Sequence, residues 1–254
     1  MRFDADLAYL TGLLLVFIRL SALFLLTPLF ATTQLPIKVR LLLLFALSGT
    51  LVASLQISPA QIPHTLASFI FAAIYELIIG ALLAFGLFAA FGVFQLGGRI
   101  LDMQMGFGVA NLIDPATNAQ GPLLGTILNL TAVATFFLLD GHHMVIRGLA
   151  YSLSHVPVGQ GLAQLQIDAV VAQFGRMFSY GLMLVAPAVF SLLLLDAGMA
   201  IIARTMPQLN IFIVGLPLKI FVGSMVLVFS LNYLGPLFKK IFESVFRYWE
   251  HVLI

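Results

Sequence analysis

Three ionisable residues stand inside otherwise apolar runs: Arg19, Glu76 and Asp196. On insertion scales a charge at the bilayer centre costs about 2.5–3.5 kcal/mol, so each needs protein or water beside it and an opposite partner. Two chemistries follow. A series of such groups can relay protons or ions, or an opposite pair can hold two helices or two subunits together. No two of the three share one face of one helix, which weighs toward the structural pair.

The remaining candidates for chemistry are few. Of five histidines, His142 and His143 are adjacent. They point to different faces of any helix, and no carboxylate is expected at ligand spacing from them. The expectation is a structural or interfacial role, with no metal. With no cysteine there is no disulfide, thiolate site or Cys nucleophile. G-x-S-x-G, HExxH and Walker patterns are absent. The GFG of residues 106–108 is followed by no lysine and preceded by no strand pattern, so it is not a phosphate loop. The expectation is therefore no catalytic residue, no cofactor and no enzyme.

Two stretches are denser in information. The first, residues 99–124, reads RILDMQMGFGVANLIDPATNAQGPLL. It is too polar and too rich in Gly and Pro to continue the apolar runs on either side as helix. Yet Met103, Met105, Phe107, Val109, Leu112 and Ile113 alternate with its polar residues. Irregular backbone at membrane depth is tolerated only where protein buries it or it lines a cavity, which predicts a plug or gate. Met is adaptable, and Gly106, Gly108 and Gly121 permit bends. The second stretch, residues 203–219, reads ARTMPQLNIFIVGLPLK. It is a polar hairpin tip in which Arg204 and Gln208 offer donors and Pro207 stiffens the turn. Asn210 closes the tip, Gly215 and Pro217 can kink the helix that follows, and Lys219 sits a short way inside it.

The elements that must position these residues are membrane helices. The chain has 254 residues, 61% hydrophobic and 9% charged, with mean hydropathy +1.11. A soluble domain carries roughly 25% charged residues. The apolar segments are continuous and not alternating, so the class is an all-α polytopic membrane protein. Net charge +2, with no basic run, gives no reason to expect nucleic acid. Six long hydrophobic helices are predicted at residues 7–30, 37–55, 66–94, 123–139, 177–203 and 211–234, some kinked, forming helical hairpins around the central plug loop. The first is read as a retained span and not a cleaved signal, because it is long and carries Arg19. Residues 142–173 are expected to be a connecting loop. The tail, residues 236–254, is amphipathic, with Lys239, Lys240, Glu243, Arg247 and Glu250 set among Phe238, Ile241, Phe242, Val245, Phe246 and Trp249. It is expected on the membrane surface or against a partner. Six spans put both termini on one side, where Arg2, Arg147, Arg176, Lys239, Lys240 and Arg247 face Lys38, Arg40, Arg99 and Arg204 opposite. That bias does not settle orientation. Gly80 with Ala84 and Gly86 with Ala90 mark faces for close helix approach.

The segments LDMQMGFGVANLIDPATNAQGP, FFLLDGHHMVI and RTMPQLNIFIVGLPLK together resemble the FliR family, and the resemblance extends over essentially the whole chain. It implies a non-enzymatic subunit of the flagellar type III export gate, in the bacterial inner membrane at the flagellar basal body. The implied partners are FliP, FliQ and FlhB, with FlhA and the basal body rings, membrane lipid, and unfolded flagellar proteins in transit. It implies a FliP-like part over residues 1–160 and a FliQ-like hairpin with an amphipathic tail over residues 161–254. Met103, Met105, Gly106, Phe107, Gly108, Asn111, Asp114, Pro115, Gly121 and Pro122 then belong to the plug. Arg204, Pro207, Gln208, Asn210 and Lys219 belong to a subunit contact at the cytoplasmic entrance. The alternatives are the related injectisome export subunit and a proton-coupled small-solute transporter.

Overall fold

The computed structural model describes residues 2–27, 36–57, 63, 65–107, 122–161, 166–206, 208 and 210–253, with side chains from residue 8 onward except at 211 and 212. All regular structure in these residues is helical. The helices are α1 (Arg2–Leu26), α2 (Ile37–Leu55), α3 (Leu66–Met105), α4 (Leu123–Leu138), α5 (Gly141–His155), α6 (Ile167–Thr205), α7 (Ile211–Leu231) and α8 (Gly235–Val252). Five of them are long and apolar enough to cross a membrane: α1, α2, α3, α6 and α7. Helices α4 and α5 meet the same test only together, as a span broken at Leu139 and Asp140, which brings the total to six. The all-α multi-span reading therefore holds.

Four expectations need correction. First, α3 does not stop at residue 94 but runs for 40 residues to Met105. At 1.5 Å per residue it is about 60 Å long, roughly twice the thickness of a bilayer's hydrocarbon core. Residues 99–105 are thus helix, not irregular loop. Their polarity hides a helical period: Phe94, Gly97, Gly98, Leu101 and Met105 are buried on one face, while Arg99 and Met103 are exposed on the other. Second, residues 142–173 are not a loop. They contain α5 and the start of α6, and α5 buries Val145, Gly148, Leu149, Ser152 and Leu153 along one stripe. Third, span five is longer than expected, because α6 begins at Ile167 and has 39 residues. Fourth, the tail forms α8, and its apolar face is turned into the protein. Ile241, Phe242, Val245, Tyr248, Trp249 and Val252 are all at most 2% exposed.

The chain divides into two compact units. In the first (residues 1–89, 140–174 and 242–254), α1 packs on α2, with Phe17 edge-on to Phe45 at 6.0 Å. Gly80 of α3 lies against the backbone of Arg19 and the methyl of Ala22, leaving no room for a side chain. The end of α8 fills the space between α3 and α5. The Trp249 ring lies on Gly148 and Gly86, and its indole N–H donates to the Leu83 carbonyl at 2.9 Å. The Tyr248 hydroxyl donates to the Leu82 carbonyl at 3.0 Å, and burial pushes its phenol pKa up, keeping it a neutral donor.

In the second unit (residues 90–139 and 175–241) the same device recurs. Gly98 of α3 meets Gly125 of α4 backbone to backbone, and Gly97 lies against Val185 and the Gly181 carbonyl of α6. Phe91 packs on Phe136 at 5.7 Å, and Phe94 on Phe238 at 5.1 Å. Small residues let membrane helices approach until dispersion contacts hold them, where no hydrophobic drive exists.

The Trp249 contact yields a prediction. Trp249→Ala should destabilise by about 3–5 kcal/mol, and Gly148→Ala by about 1–3 kcal/mol through overpacking. The double variant should lose less than the two single losses added together, because the cavity accommodates the new methyl. Denaturant titration in detergent micelles measures all three, and strict additivity would refute the contact.

Candidate functional site

The intramembrane charges resolve into two separate ion pairs. Arg19 and Glu76 are 0% and 1% exposed. The Arg19 Nε donates to Glu76 Oε2 at 2.5 Å. Its Nη1 donates to the Ser152 carbonyl and hydroxyl, both at 3.1 Å, and its Nη2 to the Val156 carbonyl at 3.0 Å. The other Glu76 oxygen accepts from the Gly159 backbone N–H at 3.1 Å. Both charges are therefore enclosed by partners from α1, α3 and the end of α5. The guanidinium also lies where the dipole of α5 is negative and its last carbonyls need donors. Asp196 of α6 pairs with Lys219 of α7 at 2.6 Å, both partly exposed. Lys219, grouped by sequence with the hairpin tip, is thus the counterion of Asp196.

The described part of the plug stretch forms its base. Met105 is buried and packs on Gly223 of α7, which Leu192 also approaches, whereas Met103 is 80% exposed. Gly106 follows with φ +83°, a left-handed conformation that favours glycine, and lies beside Leu216 of α7. Phe107 and Pro122 are half-buried. Gly108, Asn111, Asp114, Pro115 and Gly121 lie outside the described residues. Sequence reasoning missed the residue that ties the two ends of the stretch together. Asp102, 6% exposed, accepts from the Leu124 and Gly125 N–H groups at 3.1 and 3.3 Å. A carboxylate on α3 thereby caps the first turn of α4. Only half of the signal was present: α4 starts at Pro122-Leu123-Leu124 with no Ser, Thr, Asp or Asn at its cap, but the carboxylate that answers it stands 22 positions before Leu124. Of the hairpin tip, Arg204, Gln208 and Asn210 are exposed, and Pro207 lies outside the described residues.

The expectation that no carboxylate stands near the paired histidines does not hold. Asp140, His142 and His143 each bring a ligand atom within 4.8 Å of the others. The reason is local: Asp140 adopts a left-handed backbone at the break before α5, which turns its carboxylate toward His143.

A family model described as bacterial export proteins, family 1, matches residues 10–245. The flagellar biosynthetic protein FliR of Bacillus subtilis is 32% identical over 245 residues, covering 94% of this chain and 93% of that protein. The chain belongs to the FliR family. FliR of Escherichia coli K12 is 27% identical over 231 residues, 91% of this chain and 88% of that one. The Yop proteins translocation protein T of Yersinia pestis matches at 28%, but over only 156 residues, 60% of each chain. Likeness to FliR proteins thus runs nearly end to end, which places the chain on the flagellar side. As a FliR-family protein it is a structural component of the flagellar export apparatus in the inner membrane, and not an enzyme.

The closed Arg19 network predicts an asymmetric response. Arg19→Ala, which strands Glu76 in the interior, should cost about 3–5 kcal/mol. Arg19→Met combined with Glu76→Leu should recover part of that loss, since no lone charge remains. Chemical denaturation of the purified variants tests this; a double variant less stable than Arg19→Ala would show that the pair is not what stabilises the site.

Proposed function

We propose that this FliR-family subunit forms part of the wall of the flagellar export conduit, and that residues 106–122 are the plug that seals it between export events. The observation that carries the proposal is the fastened base. Asp102 and the Gly98–Gly125 contact hold the start of α4 on α3, while Met105 is seated on α7. A segment tethered at both ends can be displaced by a passing polypeptide and return to the same place. Its Phe, Val, Leu, Ile and Gly residues suit a closure that must deform, because an apolar constriction dewets and so blocks ions and protons.

The partners we propose are FliP and FliQ within the conduit and FlhB at the tip formed by Arg204, Pro207, Gln208 and Asn210. FlhA, the basal body rings and surrounding lipid complete the setting, and residues 1–160 and 161–254 would correspond to FliP-like and FliQ-like parts. Exposed apolar surface supports an assembled state. Only 17% of the most apolar stretch of α6 and 22% of that of α7 are buried within the chain, against 61% for α3. Phe221, Val228 and Phe229 of α7 are each more than half exposed, so lipid or another subunit must cover them. A transporter reading is disfavoured by the Arg19–Glu76 network, in which the described partners occupy the groups a relay would need. The injectisome reading is disfavoured by its shorter match.

Gly106→Trp should disable the gate. A side chain at φ +83° is strained by about 1–2 kcal/mol per residue, and the ring must displace Leu216. The expected result is lost swimming in soft agar, or a membrane that leaks ions as read by a potential-sensitive dye. A substitution scan of residues 106–122 that left both motility and membrane tightness normal would sink the plug reading.

A further inference from the structure

Asp140, His142 and His143 are absorbed by neither the ion pairs nor the plug. We propose that they form a binding site for one divalent transition-metal ion of the zinc class. The ligand set is two imidazoles and one carboxylate, with a position left open for water.

Three observations carry the inference. The Asp140 carboxylate lies 3.4 Å from His143 Nδ1. That is long for a charged hydrogen bond, yet it matches the separation of two donors on a tetrahedral ion, roughly 3.3 Å for bonds near 2.0–2.1 Å. All three donor atoms already lie within 4.8 Å of one another. The His142 and His143 rings stand 4.1 Å apart, which brings both imidazoles together although the residues are adjacent in sequence.

A further point is what Asp140 does not do. It stands at the N-cap position of α5 with φ 55° and ψ 31°, a left-handed conformation that few residues other than Gly, Asn and Asp adopt. Aspartate at that position ordinarily caps the helix with its side chain, yet it makes no such bond here. The carboxylate instead lies beside His143. Asp140 and His143 are 75% and 61% exposed, so no other part of the described chain covers their donor atoms. The positive end of the α5 dipole opposes a cation there, which makes the negative charge of Asp140 necessary and not only its oxygen. A bound ion ties the break residue Asp140 to the first turn of α5.

The test uses the tag-free full-length protein, purified with the subunits that accompany it, stripped by a chelator and titrated with zinc chloride against a chromophoric competitor. The expected result is one zinc per chain and, with cobalt(II) chloride, the strong visible bands of a four-coordinate ion. Asp140→Asn and His143→Ala should each weaken zinc binding at least about tenfold, since even a residue that merely orients a metal ligand costs roughly 10–100-fold. His155→Ala with His251→Ala should leave binding unchanged. The proposal fails if Asp140→Asn and His143→Ala bind zinc as tightly as the unmodified chain. It also fails if that chain takes up no more zinc than a His142→Ala, His143→Ala variant. Both single substitutions fall on exposed side chains, and matching circular dichroism spectra verify that the fold is intact.

Discussion

A guanidinium with no solvent exposure must place its donors within the protein, and much of the first unit depends on how Arg19 does so. Burying a charge costs several kcal/mol unless a counterion and hydrogen bonds surround it. Glu76 supplies the counterion from α3, and Ser152 and Val156 supply carbonyls from the end of α5. The same carboxylate holds Gly159, so the chain leaving α5 is fixed in place as well. One pair of charges thus sets the packing of α1 on α3 and the end of α5. It also disposes of helix-terminal carbonyls that would otherwise be orphaned in an apolar setting.

A second constraint works beside it. Membrane helices gain little from hiding apolar side chains from one another, because lipid is equally apolar. Here they gain contact through glycine. Gly80, Gly86 and Gly148 make room for the Arg19 backbone, Tyr248 and Trp249, while Gly98, Gly125 and Gly223 do so around the base of the proposed plug. The Asp102 cap turns one such contact into a fixed junction, because a carboxylate on two backbone N–H groups is both directional and charge-assisted. A firm base below a Gly-containing apolar segment suits the reversible seal proposed above.

Much of this was legible in the residues. The class, the span α2 to the residue, and the family followed from composition, hydropathy and three motifs. Arg19 and Glu76 stood out because each is expensive inside an apolar run. What could not be read was which partner each would find, since Arg19 and Ser152 are brought together across 133 positions. The extension of α3 was hidden for a different reason. Asp102 and Gln104 lower the average hydropathy of residues 99–105, while the buried face at Leu101 and Met105 is apolar. Helix α5 was missed because part of its buried stripe is small or polar, Gly148 and Ser152, and becomes a core only where Trp249 and Arg19 meet it.

By itself, then, the sequence determined that this is a multi-span helical protein of the FliR family, with a Gly- and Met-rich segment at its centre. Those properties belong to local composition and order, and they survive without knowledge of neighbours. Only the tertiary structure decided that residues 99–105 complete a helix, that Asp102 caps α4, that Lys219 answers Asp196, and that the amphipathic tail packs inward. Each of these depends on a partner distant in sequence. A carboxylate or an apolar stripe carries no mark of what it will meet until the chain folds and burial makes an unmet group costly.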